Sequence, residues 1–271
     1  MSFWDHLEEF RWTLIRIIIA VIVFSIVGFI IIPSIFDSVI LAPRTSDFIT
    51  YRILEKAGHF IPFLPDFSAE AFDVKMLNIN MTTQFTTYLS TSLAFGVLCT
   101  IPFILFEVWR FISPALYENE AKGAKTAFGF GGVMFVIGCL VGYFIVFPLI
   151  FRFLITFELS DSIENMISLD SYMSNFYTLI LIMGLVFELP LVFWLLSSLG
   201  LVYRPFFREY RRHAIVGALL LAAFITPSGD PFSLFVVALP LYALWEISAF
   251  VVKKEPPPEE EEDENLPAVF E

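Results

Sequence analysis

The sequence predicts an all-α integral membrane protein with six transmembrane helices and with both termini in the cytoplasm. Three observations lead to this fold class: the composition, a series of long apolar runs and an uneven distribution of basic residues. Of the 271 residues, 58% are hydrophobic and 16% are charged, and the mean hydropathy is +0.78. This composition is typical of a chain whose solvent is mostly the lipid bilayer.

Six apolar runs are candidate spans. A helix crosses the roughly 30 Å of hydrocarbon with roughly 20 apolar residues, because each residue rises about 1.5 Å. Five runs are long enough, at residues 14–32, 85–108, 127–151, 172–199 and 232–252. The run at 214–225 has only 12 residues and is followed at once by turn-forming residues at 226–231. We therefore expect spans five and six to form a short hairpin.

Basic residues are concentrated on one side of the predicted bundle, and such an excess marks the cytoplasmic side. Of the 16 Lys and Arg residues, five lie on the other side and four of these fall in one long connection. The eleven on the side of the N-terminus are Arg11, Arg16, Arg110, Lys122, Lys125, Arg204, Arg208, Arg211, Arg212, Lys253 and Lys254. An even number of spans places the C-terminus on the same side.

We divide the chain into a six-span membrane domain, residues 1–254, and an acidic tail, residues 255–271. The long first external loop, at about 35–84, holds Pro43, Pro62 and Pro65 among aromatic residues. This predicts a packed cap or short helices on the membrane surface. The tail combines three consecutive prolines with eight of the 28 acidic residues, so we expect it to be disordered.

No pattern in the chain predicts catalysis. The three histidines, His6, His59 and His213, all lie outside the apolar runs, which argues against a proton relay or a metal site inside the membrane. The chain has no phosphate-binding loop and no serine-hydrolase turn. We predict a protein that is not an enzyme, holds no metal or cofactor and does not bind nucleic acid.

Two segments at the predicted cytoplasmic face carry candidate binding residues. In the first, Ser2 to Asp5 matches a helix-capping pattern, and Glu9 follows His6 by about one helical turn. In the second, Pro114 ends a helix and leaves Glu120 at the surface. The spacing alone also fits a solvated helix start and an ordinary surface carboxylate.

These segments resemble motifs of the TatC family, the multi-spanning signal-peptide receptors of the twin-arginine protein translocase. Residues 6–11 read His-Leu-Glu-Glu-Phe-Arg and resemble the family's His-Leu-x-Glu-Leu-Arg motif. Residues 111–120 resemble its Phe-Ile-x-Pro-Ala-Leu-Tyr-x-x-Glu loop. Further matches follow in the family's order along almost the whole chain: Leu41-Ala42-Pro43, Ile101-Pro102, Phe187-Glu188-Leu189-Pro190, and Thr226-Pro227 to Asp230.

The resemblance implies a receptor for twin-arginine signal peptides of folded cargo, in the bacterial inner membrane. Glu9 and Glu120 would hold the arginines of the peptide, with Phe111, His6 and Arg11 in the same site. Carboxylates suit guanidinium groups because the pair forms planar, charge-assisted hydrogen bonds. Phe111 also fits a plain aromatic anchor at the membrane interface. The resemblance places Pro43, Pro102, Pro114 and Asp230 in structural or functional loops and turns.

The chain departs from the family pattern at four places. Phe10 replaces a leucine, Glu107 stands where glutamine is usual, Leu234 stands where glutamine is expected, and the first external loop is longer. Glu107 and Leu234 change the polar contacts expected around them.

Glu188 lies well inside the fourth apolar run, where an ionised carboxylate costs about 2.5–3.5 kcal/mol on insertion scales. The resemblance favours Glu188 and Pro190 as a contact for single-span TatA-like and TatB-like subunits in a multimeric complex. A satisfied structural carboxylate is the alternative.

The main alternative function is a proton- or ion-coupled solute transporter that uses Glu188 as its coupling carboxylate. A channel or a structural scaffold is the third alternative. A transporter needs several deep polar groups. In the sequence Glu188 is nearly alone at depth, which favours the receptor.

Overall fold

The structure, a computed structural model, describes residues 3–58, 72–112, 118–157, 160, 165–226 and 228–254. It contains ten α-helices in this part of the chain. They are α1 (Phe3–Ile35), α2 (Ile49–Gly58), α3 (Thr83–Ile112), α4 (Glu118–Val141), α5 (Phe147–Thr156), α6 (Leu169–Val186), α7 (Leu189–Ser198), α8 (Arg204–Glu209), α9 (Arg211–Ile225) and α10 (Pro231–Val251).

Five helical stretches in the described residues are long and apolar enough to cross a membrane, and each corresponds to one of the long runs in the sequence. They are Leu7–Arg44, Thr83–Phe111, Phe128–Thr156, Leu169–Ser198 and Pro231–Val251. Helix α9 has 15 residues and is about 22 Å long. It pairs with α10 as the predicted hairpin, but it is too short to count by length, so the sixth span remains a prediction.

Small residues allow the long helices to approach closely. A Cβ atom on Gly96 of α3 would lie 2.1 Å from the Ser25 hydroxyl oxygen of α1. A Cβ atom on Gly138 of α4 would lie 2.7 Å from the Met183 carbonyl of α6, and Gly142 meets Ile180 in the same way at 3.1 Å. The sequence places Gly138 and Gly142 four residues apart in the third apolar run, a small-xxx-small pattern that predicts close helix packing, and these contacts confirm it.

The fourth apolar run is not one continuous helix. It breaks at Phe187 and Glu188, between α6 and α7. Pro190 lies in the first turn of α7 and has no N–H to bond the carbonyl of Val186, so the chain begins a new helix there. The third run also departs from a regular helix, with one wider turn at Gly142–Val146 between α4 and α5.

The helices end at two faces. The face where α1 begins and α3 ends, which we call the N-terminal face, is marked by contact of Phe10 with Phe111. Helices α4, α7 and α10 also have ends there. The backbone of Lys253, after α10, donates to the Ser197 hydroxyl at the end of α7 (2.9 Å), and its carbonyl accepts from the backbone N–H of Arg204 (3.0 Å).

The opposite face carries the packed cap that the sequence predicts for the first loop. The loop forms helix α2 and short β1 (Met76–Leu77), which pairs in parallel with β2 (Ile167–Ser168). Tyr51 of α2 is buried and donates its hydroxyl to the Pro43 and Pro148 carbonyls, at 3.0 and 3.2 Å. Burial raises the pKa of the Tyr51 hydroxyl above its ordinary value.

Candidate functional site

Aromatic and acidic residues meet at the N-terminal face, where the first turns of α1 lie against the end of α3. The ring centroids of Phe10 and Phe111 are 5.7 Å apart. Glu9, the residue before Phe10, is half-buried, whereas Glu8 and Arg11 are exposed. The structure thus packs the first turns of α1, which carry Glu9, against the end of α3, which carries Phe111.

Part of the predicted binding site falls outside what the structure describes. His6 and Glu120 belong to helices α1 and α4, but their side chains are outside the described residues. Pro114 lies in 113–117, which is also outside them. Helix α3 ends at Ile112, two residues before Pro114. The roles of His6, Glu120 and Pro114 stay predictions.

An ion pair that the sequence analysis missed joins α1 to α3 just inside this face. The Arg16 guanidinium donates to the Glu107 carboxylate, with Nε 2.8 Å and Nη2 2.7 Å from Oε2. Nη2 also donates to the Thr13 hydroxyl at 3.0 Å. The Glu107 side chain is only 3% exposed. Glu107 lies one helical turn before Phe111, so the pair holds α1 against α3 immediately below the aromatic contact.

Glu107 corrects the prediction that Glu188 is nearly the only deep carboxylate. Both are buried in the bundle, but their surroundings differ. Glu107 has a bound guanidinium, whereas neither carboxylate oxygen of Glu188 has a hydrogen-bond partner in the described part of the chain. The sequence signal was available, since Arg16 and Glu107 are opposite charges inside two neighbouring apolar helices. The pairing itself required knowledge of their register.

Glu188 sits at the α6–α7 break, against the middle of α4. A Cβ atom on Gly131 would lie 2.8 Å from Glu188 Oε2 and 2.6 Å from a Leu191 methyl group, so this glycine makes room for the carboxylate. Pro190 is buried beside it. A buried carboxylate without a partner is costly, because desolvation is not offset by a hydrogen bond. The arrangement can accept a polar hydrogen from another helix.

Of the four residues predicted in loops or turns, the structure describes Asp230, Pro43 and Pro102, and each has a structural role or position. The Asp230 carboxylate accepts the backbone N–H of Ser233 at 2.8 Å and caps the start of α10. Burial raises its pKa, but hydrogen bonds from Ser228 and Ser233 outweigh this, so the pKa is below its usual value. Pro43 is buried in the cap, and Pro102 lies within α3 without ending it.

A large apolar concavity lies between α1, α3, α4 and α6. Its volume is 560 Å³, and its lining includes Leu98, Pro102, Phe135 and Ile180. Such a surface suits apolar chains of lipid or peptide and offers nothing for charge chemistry.

These features define a class: a multi-pass, helical membrane protein with an aromatic contact at one face and a buried carboxylate at a helix break. The chain matches the family model described as "Sec-independent protein translocase protein (TatC)" over residues 5–240. The chain belongs to the TatC family and is a subunit of the twin-arginine protein translocase, a transport complex with other subunits.

Individual relatives agree over nearly full length. The TatC protein of Blattabacterium sp. subsp. Periplaneta americana is 35% identical over 252 residues, which cover 93% of this chain and 94% of the relative. That of Carboxydothermus hydrogenoformans is 30% identical, with 93% of each chain covered. A crystal structure of the twin arginine translocase receptor TatC aligns with a TM-score of 0.68 at 30% identity, covering 91% of this chain and 97% of the other.

Proposed function

We propose that this TatC-family subunit binds twin-arginine signal peptides at its N-terminal face and that this face lies in the cytoplasm. Glu9 and Glu120 hold the two guanidinium groups of the peptide, Phe111 shapes the site beside them, and His6 and Arg11 belong to the same site. The observation that supports the proposal is the Phe10–Phe111 contact, because it packs the turn of α1 that also carries half-buried Glu9 against the end of α3.

The chemistry of the face supports this assignment. A carboxylate at a half-buried position is partly desolvated, so its attraction for a guanidinium group is stronger than in water. An apolar ring beside it can stack on the planar guanidinium group. The eleven basic residues on this side support a cytoplasmic orientation, from which a newly made signal peptide would arrive.

Peptide binding to the purified protein in detergent tests the proposal. We expect Glu9→Gln and Glu120→Gln each to weaken the binding of a twin-arginine peptide by about tenfold. This loss lies between the losses typical of exposed and of desolvated charge pairs. Glu8→Gln is the matched control, because it removes the same charge from an exposed position next to Glu9. A peptide with both arginines replaced by glutamine should bind wild-type protein and the variants equally weakly.

Equal affinity in Glu9→Gln, Glu8→Gln and wild-type protein would remove Glu9 from the site. An equal loss in Glu8→Gln and Glu9→Gln would show that only the net charge of the face matters.

The same proposal includes recruitment of single-span subunits, TatA-like and TatB-like, at the α6–α7 break. Glu188 supports it, because its carboxylate is buried and has no partner among the described residues. A polar hydrogen on an added helix would satisfy that carboxylate. Interhelical hydrogen bonds in membranes contribute about 0.5–2 kcal/mol, which suits reversible assembly.

A further inference from the structure

A second, smaller groove runs along α9, away from the peptide site. It has a volume of 370 Å³ and lies between α7 and α9, with Leu241 and Trp245 of α10 as its floor. Leu189 and Phe193 form one wall, and the other wall is the face of α9 from Ala214 to Leu221. The groove is apolar along this length.

One end of the groove is polar. Tyr210 and His213 line it at the N-terminal face, with ring centroids 5.6 Å apart. From His213 to Leu221 the groove extends about 12 Å along the helix, less than half of the roughly 30 Å of hydrocarbon. It therefore lies within a single leaflet, with its polar end at the level of the lipid headgroups.

The described side chains around the polar end carry a net positive charge. The exposed or half-exposed basic residues at this end of the bundle are Arg204, Arg208, Arg211, Arg212, Lys253 and Lys254. Among the described residues of α8, α9, α10 and the short segment after α10, two carboxylates oppose them, those of Glu209 and Glu246. Glu246, the single acidic residue of α10, is neutralised by a bidentate pair with Arg211 (2.7 Å for both bonds) and also accepts the Tyr242 hydroxyl at 2.7 Å. The remaining excess attracts a phosphate group.

We propose that this groove binds an anionic phospholipid, with one acyl chain along α9 and the phosphate near Tyr210 and His213. Basic pockets between membrane helices are a known setting for acidic headgroups, and each basic residue near the surface favours them. The lipid site is independent of the proposed peptide site.

Gly217 allows the groove to be filled without disturbing its walls. A Cβ atom on Gly217 would meet no atom within 4 Å, and the same is true of Gly132 on α4. Gly217→Leu therefore places a side chain in the groove, whereas Gly132→Leu adds the same side chain elsewhere and is the matched control. Gly217→Ala, which fills less space, should have a smaller effect.

The experiment uses full-length protein in nanodiscs that contain equal amounts of phosphatidylglycerol and phosphatidylcholine, and it counts the lipids retained after transfer to detergent by mass spectrometry. We expect wild-type protein and Gly132→Leu to retain phosphatidylglycerol preferentially and Gly217→Leu to lose this preference. Arg212→Gln should reduce the preference about fivefold, whereas Lys75→Gln, on the opposite face, should leave it unchanged.

Trp245 provides a second measurement that needs no variant of the groove wall. Its indole is fixed at the groove floor against Phe193 and Phe207, with centroids 5.4 and 4.7 Å away. Phosphatidylglycerol with brominated acyl chains should quench the Trp245 fluorescence, identified by difference from Trp245→Phe, more strongly than brominated phosphatidylcholine.

Equal quenching by the two lipids would overturn the proposal. Unchanged phosphatidylglycerol retention in Gly217→Leu would also overturn it. If that variant kept the lipid but lost crosslinking to a single-span subunit, the groove would be assigned to a protein partner.

Discussion

The Arg16–Glu107 ion pair gives an asymmetric prediction, because its two partners differ in exposure. The Arg16 side chain is 32% exposed and the Glu107 side chain is 3% exposed. Arg16 also keeps a hydrogen bond to Thr13 when Glu107 is removed. Glu107 has no such second partner among its observed hydrogen bonds. Removing Arg16 should therefore destabilise the protein more than removing Glu107.

The expected sizes follow from the environment of the charge that remains. Arg16→Leu leaves a buried, uncompensated carboxylate, which costs about 3–5 kcal/mol. Glu107→Leu leaves an arginine that can extend toward water along its flexible stem, so we expect about 1–2 kcal/mol. The double variant Arg16→Leu/Glu107→Leu replaces the pair by apolar groups, a change that is often close to neutral.

The free energy of unfolding, measured by reversible SDS titration of the purified protein, tests this order. Arg11→Leu is the matched control for loss of a basic residue from α1, because Arg11 is exposed, and it should change the unfolding free energy by about 0.5 kcal/mol or less. A double-mutant cycle gives the coupling between the two residues. Equal losses in the two single variants, or a double variant at least as unstable as their sum, would refute this account of the pair.

Four further predictions concern other parts of the chain. Glu188→Leu should reduce crosslinking to single-span subunits and cargo export, while Glu188→Gln should retain part of both. Wild-type levels of crosslinking and export in Glu188→Leu would show that the carboxylate is merely structural. Cysteines at Ser2 and Ser46 should label from opposite sides of the membrane, and labelling from one side would contradict the predicted topology. Gly138→Leu should destabilise the bundle by about 1–3 kcal/mol, because α4 cannot approach α6; unchanged stability would show that the helices can separate freely. Asp230→Ala should cost about 1 kcal/mol at pH 7, and because the folded-state pKa is lowered, this difference should shrink as the pH falls below about 4. A pH-independent difference would mean that the charge of the cap contributes nothing.

Much of the fold follows from local sequence alone. The apolar runs predict the long helices, because a helix satisfies its backbone hydrogen bonds within one segment, as the bilayer requires. All five long runs appear as such stretches, four of them with ends within five residues of the predictions, whereas the first extends from Leu7 to Arg44, well beyond the predicted run at 14–32. The glycines at Gly138 and Gly142 also predict close helix packing, since a glycine pair one turn apart lets a neighbouring helix approach closely, whichever helix it is. The prolines and aromatics of the first loop predict a cap, and Pro43 and Tyr51 are buried in it.

The contacts between distant segments are different, because composition does not contain the register of one helix against another. Arg16 and Glu107 are 91 residues apart, and only the packing of α1 on α3 makes them an ion pair. Glu188 is visible in the sequence as a carboxylate in an apolar run, but the space for its side chain depends on Gly131 of α4. The groove along α9 likewise exists only because α7 and α9 both pack against α10. The sequence by itself determined which segments are helical and apolar, since each helix satisfies its backbone hydrogen bonds within its own segment inside the bilayer. Tertiary structure decided which polar groups are paired, because pairing depends on distances that span the whole chain.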